Sequence, residues 1–310
     1  MTTPFSLSLM GWSPTFQQQV SLEEWETAAT ARVIAQHRSY VELLSESGKT
    51  HLHYTSKMPI ITVGDWLLLD QDNTFIRLLE RRSEFSRKAA GSKIKAQLIA
   101  ANIDTVFIVS SLNKDFSLSR IERYLALVNE AGAEAVIVLT KADLCENKQH
   151  YVQQIHALDP LLMIETVNAL DNISVECLLP WCNTGKTLAV LGSSGVGKST
   201  LVNSLLNEQA LETGTIREDD SKGRHTTTAR SMHFMRSGAV LIDTPGMREL
   251  QLAACEEGVN ATFNDIGEYS KQCRYSDCSH EQEPGCAVRL AIEKGELDER
   301  RLANFKKLLR

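Results

Sequence analysis

The 310-residue chain is 43% apolar and 23% charged, enough for a core of ordinary size divided over about two or three domains. A formal charge of −6 and a pI near 5.8 exclude a protein that coats nucleic acid indiscriminately, so any RNA contact must be local. No charge-free apolar run of membrane-spanning length occurs, and MTTPFSLSLMGWSPTF has no basic leader; the expectation is a cytoplasmic protein without membrane contact. Of seven cysteines, Cys145, Cys177, Cys182 and Cys255 show no framework spacing and fit a reducing compartment.

Residues 1–26 are weakly patterned and read as an arm. Between 27 and 90, short apolar runs (ARVIAQHRSYVELLS, THLHYT, ITVGDWLLLD, TFIRLLE) are punctuated by Gly48, Pro59, Gly64 and Asn73. Several short strands without a long helix predict a five-stranded OB-like β-barrel, which either offers a face to oligonucleotides or serves as a structural or protein-binding module. RRSEFSRKAAGSKIK follows, with basic residues at 81, 82, 87, 88, 93 and 95 against the single acid Glu84. It reads as a basic linker that either grips phosphates or forms a solvated face.

Residues 91–255 alternate strands and helices in the manner of a parallel α/β sheet, whose ligand loops lie at the carboxyl ends of strands. Thr105–Val109 is a short apolar strand. A helix from about Ser117 carries Leu118, Ile121, Leu125 and Val128 on one face, with Gly132 near its end, and Ala135–Leu139 is the next buried strand. Thr140, Lys141, Ala142 and Asp143 then form TKAD, which resembles the NKxD guanine-recognition motif of GTPases. A carboxylate at Asp143 can accept from both the ring NH and the exocyclic amine of guanine, a donor pair that adenine lacks. Lys141 would pack its stem over the base. Thr140 replaces the commoner Asn, which should reduce affinity while selectivity remains with Asp143. Asn168, Ala169 and Leu170 stand either where GTPases close over the base or in a plain loop.

The run Leu188–Leu191 leads into Gly192, Ser193, Ser194, Gly195, Val196, Gly197, Lys198, Ser199 and Thr200, GSSGVGKST, and a helix with Leu201, Val202, Leu205 and Leu206. Strand, glycine-rich loop and helix in that order make a phosphate cradle: backbone amides face the phosphates, Lys198 reaches the terminal ones, and Ser199 offers its hydroxyl to magnesium. The alternatives are a glycine turn without a ligand and an adenylate-using P-loop enzyme. TGTIREDDSKGRHTTTAR (213–230) resembles a first switch, in which a threonine among 226, 227 and 228 meets magnesium, Thr227 being favoured. Asp243, Thr244, Pro245 and Gly246 form DTPG, which resembles the second switch; there the Asp holds magnesium through water and the Gly amide meets the terminal phosphate.

Within 256–310, Cys273, Cys278, His280 and Cys286 supply four ligands within fourteen residues, a spacing suited to one structural, tetrahedral zinc ion in a small α-helical zinc-binding domain. Val288–Arg310 reads as helical, its basic residues at 300, 301, 306, 307 and 310 beside Leu302, Phe305, Leu308 and Leu309. This is an amphipathic docking helix first, with RNA contact as the secondary reading.

The base-reading motif precedes the phosphate loop, the reverse of the common GTPase order, so the GTPase is circularly permuted and whatever follows the second switch is mechanically attached to it. Through VGDW, TKAD, GSSGVGKST, GRHTTT and DTPG in this order, nearly the whole chain resembles the ribosome small subunit-dependent GTPase A family (RsgA, also YjeQ). The resemblance implies an OB-fold, a permuted P-loop GTPase and a zinc domain, with rRNA binding, a late role in small-subunit assembly and GTP hydrolysis stimulated by the subunit, ending in release. It also suggests that His225 positions the attacking water, since Met247 occupies the place after DTPG where many GTPases put glutamine; an exposed loop histidine is the alternative. The expected protein is thus a monomeric GTPase with GTP or GDP, magnesium, zinc and the small ribosomal subunit as its ligands and partners. A GTP-gated RNA-binding scaffold with negligible turnover and a GTPase with a non-ribosomal target are the competing readings.

Overall fold

A computed structural model describes residues 5–88, 96–207, 230–243 and 255–309. The first segment is more ordered than an arm. Helix α1 (Pro14–Gln17) and helix α2 (Leu22–Thr27) lie against the barrel, with Met10 and Phe16 fully buried. α2 begins in a capping box: Ser21 and Glu24 satisfy each other's backbone amides, and Arg77 then grips the Glu24 carboxylate at 2.7 Å and 2.9 Å.

The OB-like part is an antiparallel, curled sheet of β1 (Ala29–Gln36), β2 (Tyr40–Ser45), β3 (Gly48–His53), β4 (Trp66–Leu69) and β5 (Phe75–Leu78). Val33, Val41, Leu43, Ile61, Leu67 and Leu69 fill one side of it. β1 is the organising strand. Its 31–36 stretch pairs with β2, and its 29–32 stretch pairs with β4.

Within the described part of the segment read as a basic linker, 81–88, β6 (Glu84–Lys88) pairs antiparallel with β7 (Ala96–Ala101), which follows that segment. Two of its charges serve the fold: Arg81 forms a bidentate pair with buried Asp65 at 2.7 Å and 2.9 Å, and Arg82 meets Asp104 at 2.9 Å. A buried carboxylate needs such a partner, so these arginines are bound inward rather than presented to RNA. The side chain of residue 88 and residues 93 and 95 lie outside the described residues.

The α/β region comprises β8 (Thr105–Ser111), α3 (Leu118–Ala131), β9 (Glu134–Thr140), α4 (Lys148–His156), β10 (Met163–Thr166), α5 (Asn172–Val175), β11 (Thr187–Gly192), α6 (Lys198–Asn207), β12 (Arg230–Phe234) and β13 (Val240–Asp243). α3 starts and stops where its sequence dictates, with Gly132 taking the left-handed conformation at φ 75°. The strands lie in the order β10-β9-β8-β11-β13, all parallel, and β12 joins antiparallel. β8 and β11 are buried along their whole length, as expected for strands covered on both faces. Side chains alternate: Phe107 and Val109 pack on the α6 face, Val106 and Ile108 on the α3 face.

β12 also pairs with β1, through Ala35 opposite Ser231 and Gln36 opposite Arg230, so barrel and α/β region share one continuous sheet. Buried Arg32 reinforces the junction. It donates to the Met10 carbonyl of the first segment and, at 2.8 Å, to Thr187 Oγ1 at the start of β11, while its guanidinium lies 5.4 Å from the Trp66 ring centroid.

The C-terminal unit is helical: α7 (Glu256–Thr262), α8 (Asn264–Ser270), α9 (Ala287–Glu293) and α10 (Glu299–Leu308), packed around Phe263, Ile266, Val288 and Leu302. The single helical stretch expected from Val288 onward is two helices, because Gly295 adopts φ 75° and Asp298 caps a new start by accepting from the Arg300 amide at 2.8 Å. The unit sits on α3. A Cβ on Gly258 would lie 2.1 Å from the Ala126 carbonyl, so only glycine lets α7 approach this closely. Beside it, fully buried Glu122 accepts from Arg300 at 2.9 Å and 3.1 Å, from Arg301 at 2.9 Å and from Asn304 at 2.6 Å. The docking reading of the last helix is thereby the one observed for residues 300 and 301.

Candidate functional site

The phosphate loop leaves the carboxyl end of β11 at the middle of the parallel sheet. Gly192 begins the turn at φ 149°, where a Cβ would meet the Val109 carbonyl at 2.3 Å; the loop can lie against β8 only because residue 192 has no side chain. Ser194 and Gly195 are exposed at the loop's crest, Val196 is buried beneath, and Gly197 leads into α6. The Lys198 ammonium is folded over the loop onto the Ser193 carbonyl and is largely buried. Ser199 and Thr200 occupy the first turn of α6, whose amides and positive dipole end face the loop.

TKAD lies next to this loop although 48 residues of chain separate them. Thr140, at the end of β9, hydrogen-bonds through its hydroxyl to the Val196 carbonyl, and Lys141 donates to the Gly195 carbonyl at 3.1 Å. Lys141 itself holds a left-handed backbone at φ 59°, a conformation uncommon for a non-glycine residue. Ala142 is buried and donates its amide to the Val167 carbonyl at 3.2 Å, while Asp143 is exposed in the short 3-10 turn Ala142–Leu144. Asn168 closes the same corner: it accepts from the Leu170 amide at 3.0 Å, and Ser204 of α6 donates to the Ala169 carbonyl at 2.7 Å. The 140–143 loop, the 168–170 loop and the glycine-rich loop with its helix are therefore mutually braced. Thr140 compensates for the missing Asn in one respect, since its hydroxyl anchors the phosphate loop directly.

Asp243 ends β13, the parallel neighbour of β11, one residue beyond Ile242, which pairs with Ala189. The Asp243 side chain, His225, Thr227 and Gly246 lie outside the described residues.

The second cluster is remote in sequence from the first. The ligand atoms of Cys273, Cys278, His280 and Cys286 all lie within 4.8 Å of one another. Cys273 Sγ is 3.9 Å from Cys286 Sγ, and His280 Nδ1 is 3.7 Å and 3.5 Å from those two sulfurs. A tetrahedral ion with thiolate bonds of about 2.3 Å and an imidazole bond of about 2.0 Å requires ligand separations of roughly 3.5 to 3.8 Å, so the four residues can hold one metal ion. Sequence reasoning missed the support behind them. Ser270 donates its hydroxyl to the Ile266 carbonyl at 2.8 Å and faces His280 Nε2 at 3.1 Å, which favours the tautomer protonated on Nε2 and leaves Nδ1 free to bind. Burial, with Lys306 nearby, also lowers the His280 pKa and keeps the ring neutral. The buried Cys182 thiol, pushed up to about 12 by burial, has no such company and is inert.

Sequence reasoning also missed Arg120 and Tyr124 of α3, both within 3.4 Å of the Ser193 hydroxyl. Their partner lies about seventy residues away, so no local spacing announces them.

Comparison with known proteins follows the same outline. The RsgA GTPase family model matches residues 78–253. A Vibrio parahaemolyticus protein named small ribosomal subunit biogenesis GTPase RsgA 2 is 58% identical over 310 residues, covering 100% of this chain and 87% of that protein. The corresponding RsgA of Mesorhizobium japonicum is 44% identical over 309 residues, covering 98% and 89%. Among solved structures, YjeQ from Thermotoga maritima superposes with a TM-score of 0.67 at 26% identity, covering 91% of this chain and 97% of that one. YloQ, described as a circularly permuted GTPase, gives 0.63 at 25% identity, covering 90% and 93%.

Proposed function

This chain belongs to the RsgA GTPase family, and from that premise we propose that it hydrolyses GTP to GDP and phosphate as a late assembly factor of the small ribosomal subunit, leaving the subunit on hydrolysis. The observation that carries the reading is the direct bonding of Thr140 and Lys141 to the Val196 and Gly195 carbonyls, which joins a guanine-reading loop to a phosphate loop in permuted order.

In this reading Asp143 accepts from the guanine edge, Lys141 covers the base, and Ala142 holds the turn that presents them. The amides of 193–198 and the Lys198 ammonium take the phosphates. Ser199, Asp243 and Thr227 hold magnesium, which neutralises charge on the phosphates, and the Gly246 amide meets the terminal one. His225 orients the water. C-terminal Cys273, Cys278, His280 and Cys286 hold zinc as a structural ion, since four protein ligands fill a tetrahedral shell.

On the barrel, half-buried Tyr40 at the start of β2 has His37, from the turn before it, stacked at 4.3 Å and exposed His51 and His53 of β3 at 5.2 Å and 5.7 Å. Such a cluster suits base stacking and supports rRNA contact on this face rather than along residues 81 and 82. Free thiols accord with a reducing, cytoplasmic location, and no helix among the described residues is long and apolar enough to cross a membrane.

The test is GTP turnover with and without purified small subunits, with ATP as competitor. Stimulated GTP hydrolysis that ATP does not inhibit is expected. Equal competition by ATP would remove the guanine reading. Slow turnover unchanged by subunits, with tight GTP-dependent binding to them, would favour the scaffold that Met247 in the glutamine position suggests. Subunit-independent behaviour throughout would point to another target.

A further inference from the structure

Helix α3 lies between the phosphate loop and the C-terminal unit. Residues two apart on a helix are separated by about 200° around its axis, and residues four apart by about 40°. Arg120 and Tyr124 therefore share one side, and Glu122 lies on the other. The first side meets Ser193 of the phosphate loop: Arg120 Nη1 and Tyr124 Oη are each 3.4 Å from its hydroxyl. The Arg120 guanidinium also donates through Nη2 to the Asp115 carbonyl, in the loop that joins β8 to α3, so one side chain bridges two loops at the carboxyl edge of the sheet.

The opposite side is occupied by the C-terminal unit. Arg300 reaches Ser119 Oγ at 3.2 Å and Glu122 at 2.9 Å, Arg301 reaches Glu122 at 2.9 Å, and Asn304 reaches the Ser119 carbonyl at 3.3 Å. Further along the same side, the Gly258 amide donates to Glu130 at 2.6 Å. Glu122 is fully buried and its bonds from Arg300 and Arg301 are charge-assisted, so they fix the axial position and the rotation of α3 more firmly than a surface contact would.

We propose that Arg120, with Tyr124, is a positioning residue for the phosphate loop, and that the C-terminal unit sets the placement of this pair through Glu122. The proposal deepens the GTPase reading and rests on it. Arg120 acts on the Ser193 hydroxyl and, by holding that side chain, keeps the loop's amides in register for phosphate. A C-terminal unit bound correctly on α3 yields a loop of high nucleotide affinity; a displaced one yields a looser loop.

The experiment measures dissociation constants for GDP and GTP on the full chain, together with kcat and KM, for Arg120→Ala, Arg120→Lys, Tyr124→Phe, Glu122→Gln and the double variant Arg120→Ala with Glu122→Gln. Alanine is a better helix former than arginine, so loss in Arg120→Ala does not arise from an unwound α3. Arg120→Ala should weaken both nucleotides about three- to tenfold, the range of one modest charge-assisted bond, and raise KM more than it lowers kcat. Arg120→Lys should recover part of the affinity, and melting temperature and C-terminal metal content should be unchanged. Glu122→Gln should weaken nucleotide binding in the same direction, and the double variant should lose less than the product of the two single losses. Unchanged affinity in Arg120→Ala, or losses that multiply fully in the double variant, would overturn the proposal while leaving the GTPase reading intact. Failure of the unaltered protein to prefer guanine over adenine nucleotides would remove that reading and the proposal with it.

Discussion

The phosphate loop and the four-ligand cluster are both short loops, yet they are supported in opposite ways. Residues 192–200 stand on a fully buried strand and run into a helix, with Thr140, Lys141 and Ser193 tied to neighbours. Residues 273–286 are mostly exposed and bracketed by short helices, and their convergence on one point gives them their order. A loop carried by a sheet tolerates loss of any one side chain and changes in function; a loop carried by its ligands loses structure as a whole.

The strongest test of this contrast is to deprive the four-ligand cluster of the metal ion proposed for it. Chelation, or Cys278→Ser, forfeits binding free energy on the order of 10 kcal/mol, typical of structural zinc. Hydrogen exchange should then report loss of protection across 256–309 with β8, β9 and β11 still protected; protection lost evenly over the chain would mean the two regions are not independent in this way. Next in size is Glu122→Ala, which strands two arginines at the interface and should cost about 3–5 kcal/mol. Urea unfolding followed by a C-terminal probe should shift while metal content stays constant, because this change detaches the unit without dissolving it. Asp143→Ala should leave the melting temperature unaltered and lower GTP affinity roughly a hundredfold, the value of two charge-assisted bonds; a comparable loss for ATP would contradict the role of this carboxylate. The smallest effect is on pH. The Glu24 carboxyl is lowered from 4.5 to about 2, chiefly by its hydrogen bond from Arg77 and then by the Ser21 amide. Between those values the unfolded state binds more protons, so the contribution of this contact is complete above about 4.5 and fades as pH falls toward 2. Trp25 fluorescence, a reporter of α2, should follow that window, and Glu24→Gln should abolish the dependence.

Both loops stood out in the sequence because they carry particular residues at fixed intervals: glycines at 192, 195 and 197, an acid at 143, and three cysteines with a histidine within fourteen positions, whose ligand atoms the fold gathers within 4.8 Å. Gly132 likewise marked the end of α3 through its backbone alone. What escaped was decided by partners far along the chain. Arg81 and Arg82 looked like a solvated run because Asp65 and Asp104 are not near them in sequence. Arg300 and Arg301 had the spacing of an exposed basic helix, and only the burial of Glu122 made them structural. Arg32, an arginine inside a strand, gave no hint that Met10 and Thr187 would close around it.

The short seam between β1 and β12 has a consequence for how the molecule bears load. Because Ala35 and Gln36 are laced to Ser231 and Arg230, a tug on the barrel passes along peptide hydrogen bonds into the strand that borders β13, with no swivel between them. Whatever grips the outer surface of β2 thus pulls, across the two intervening strands β1 and β12, on the very ribbon that carries Asp243.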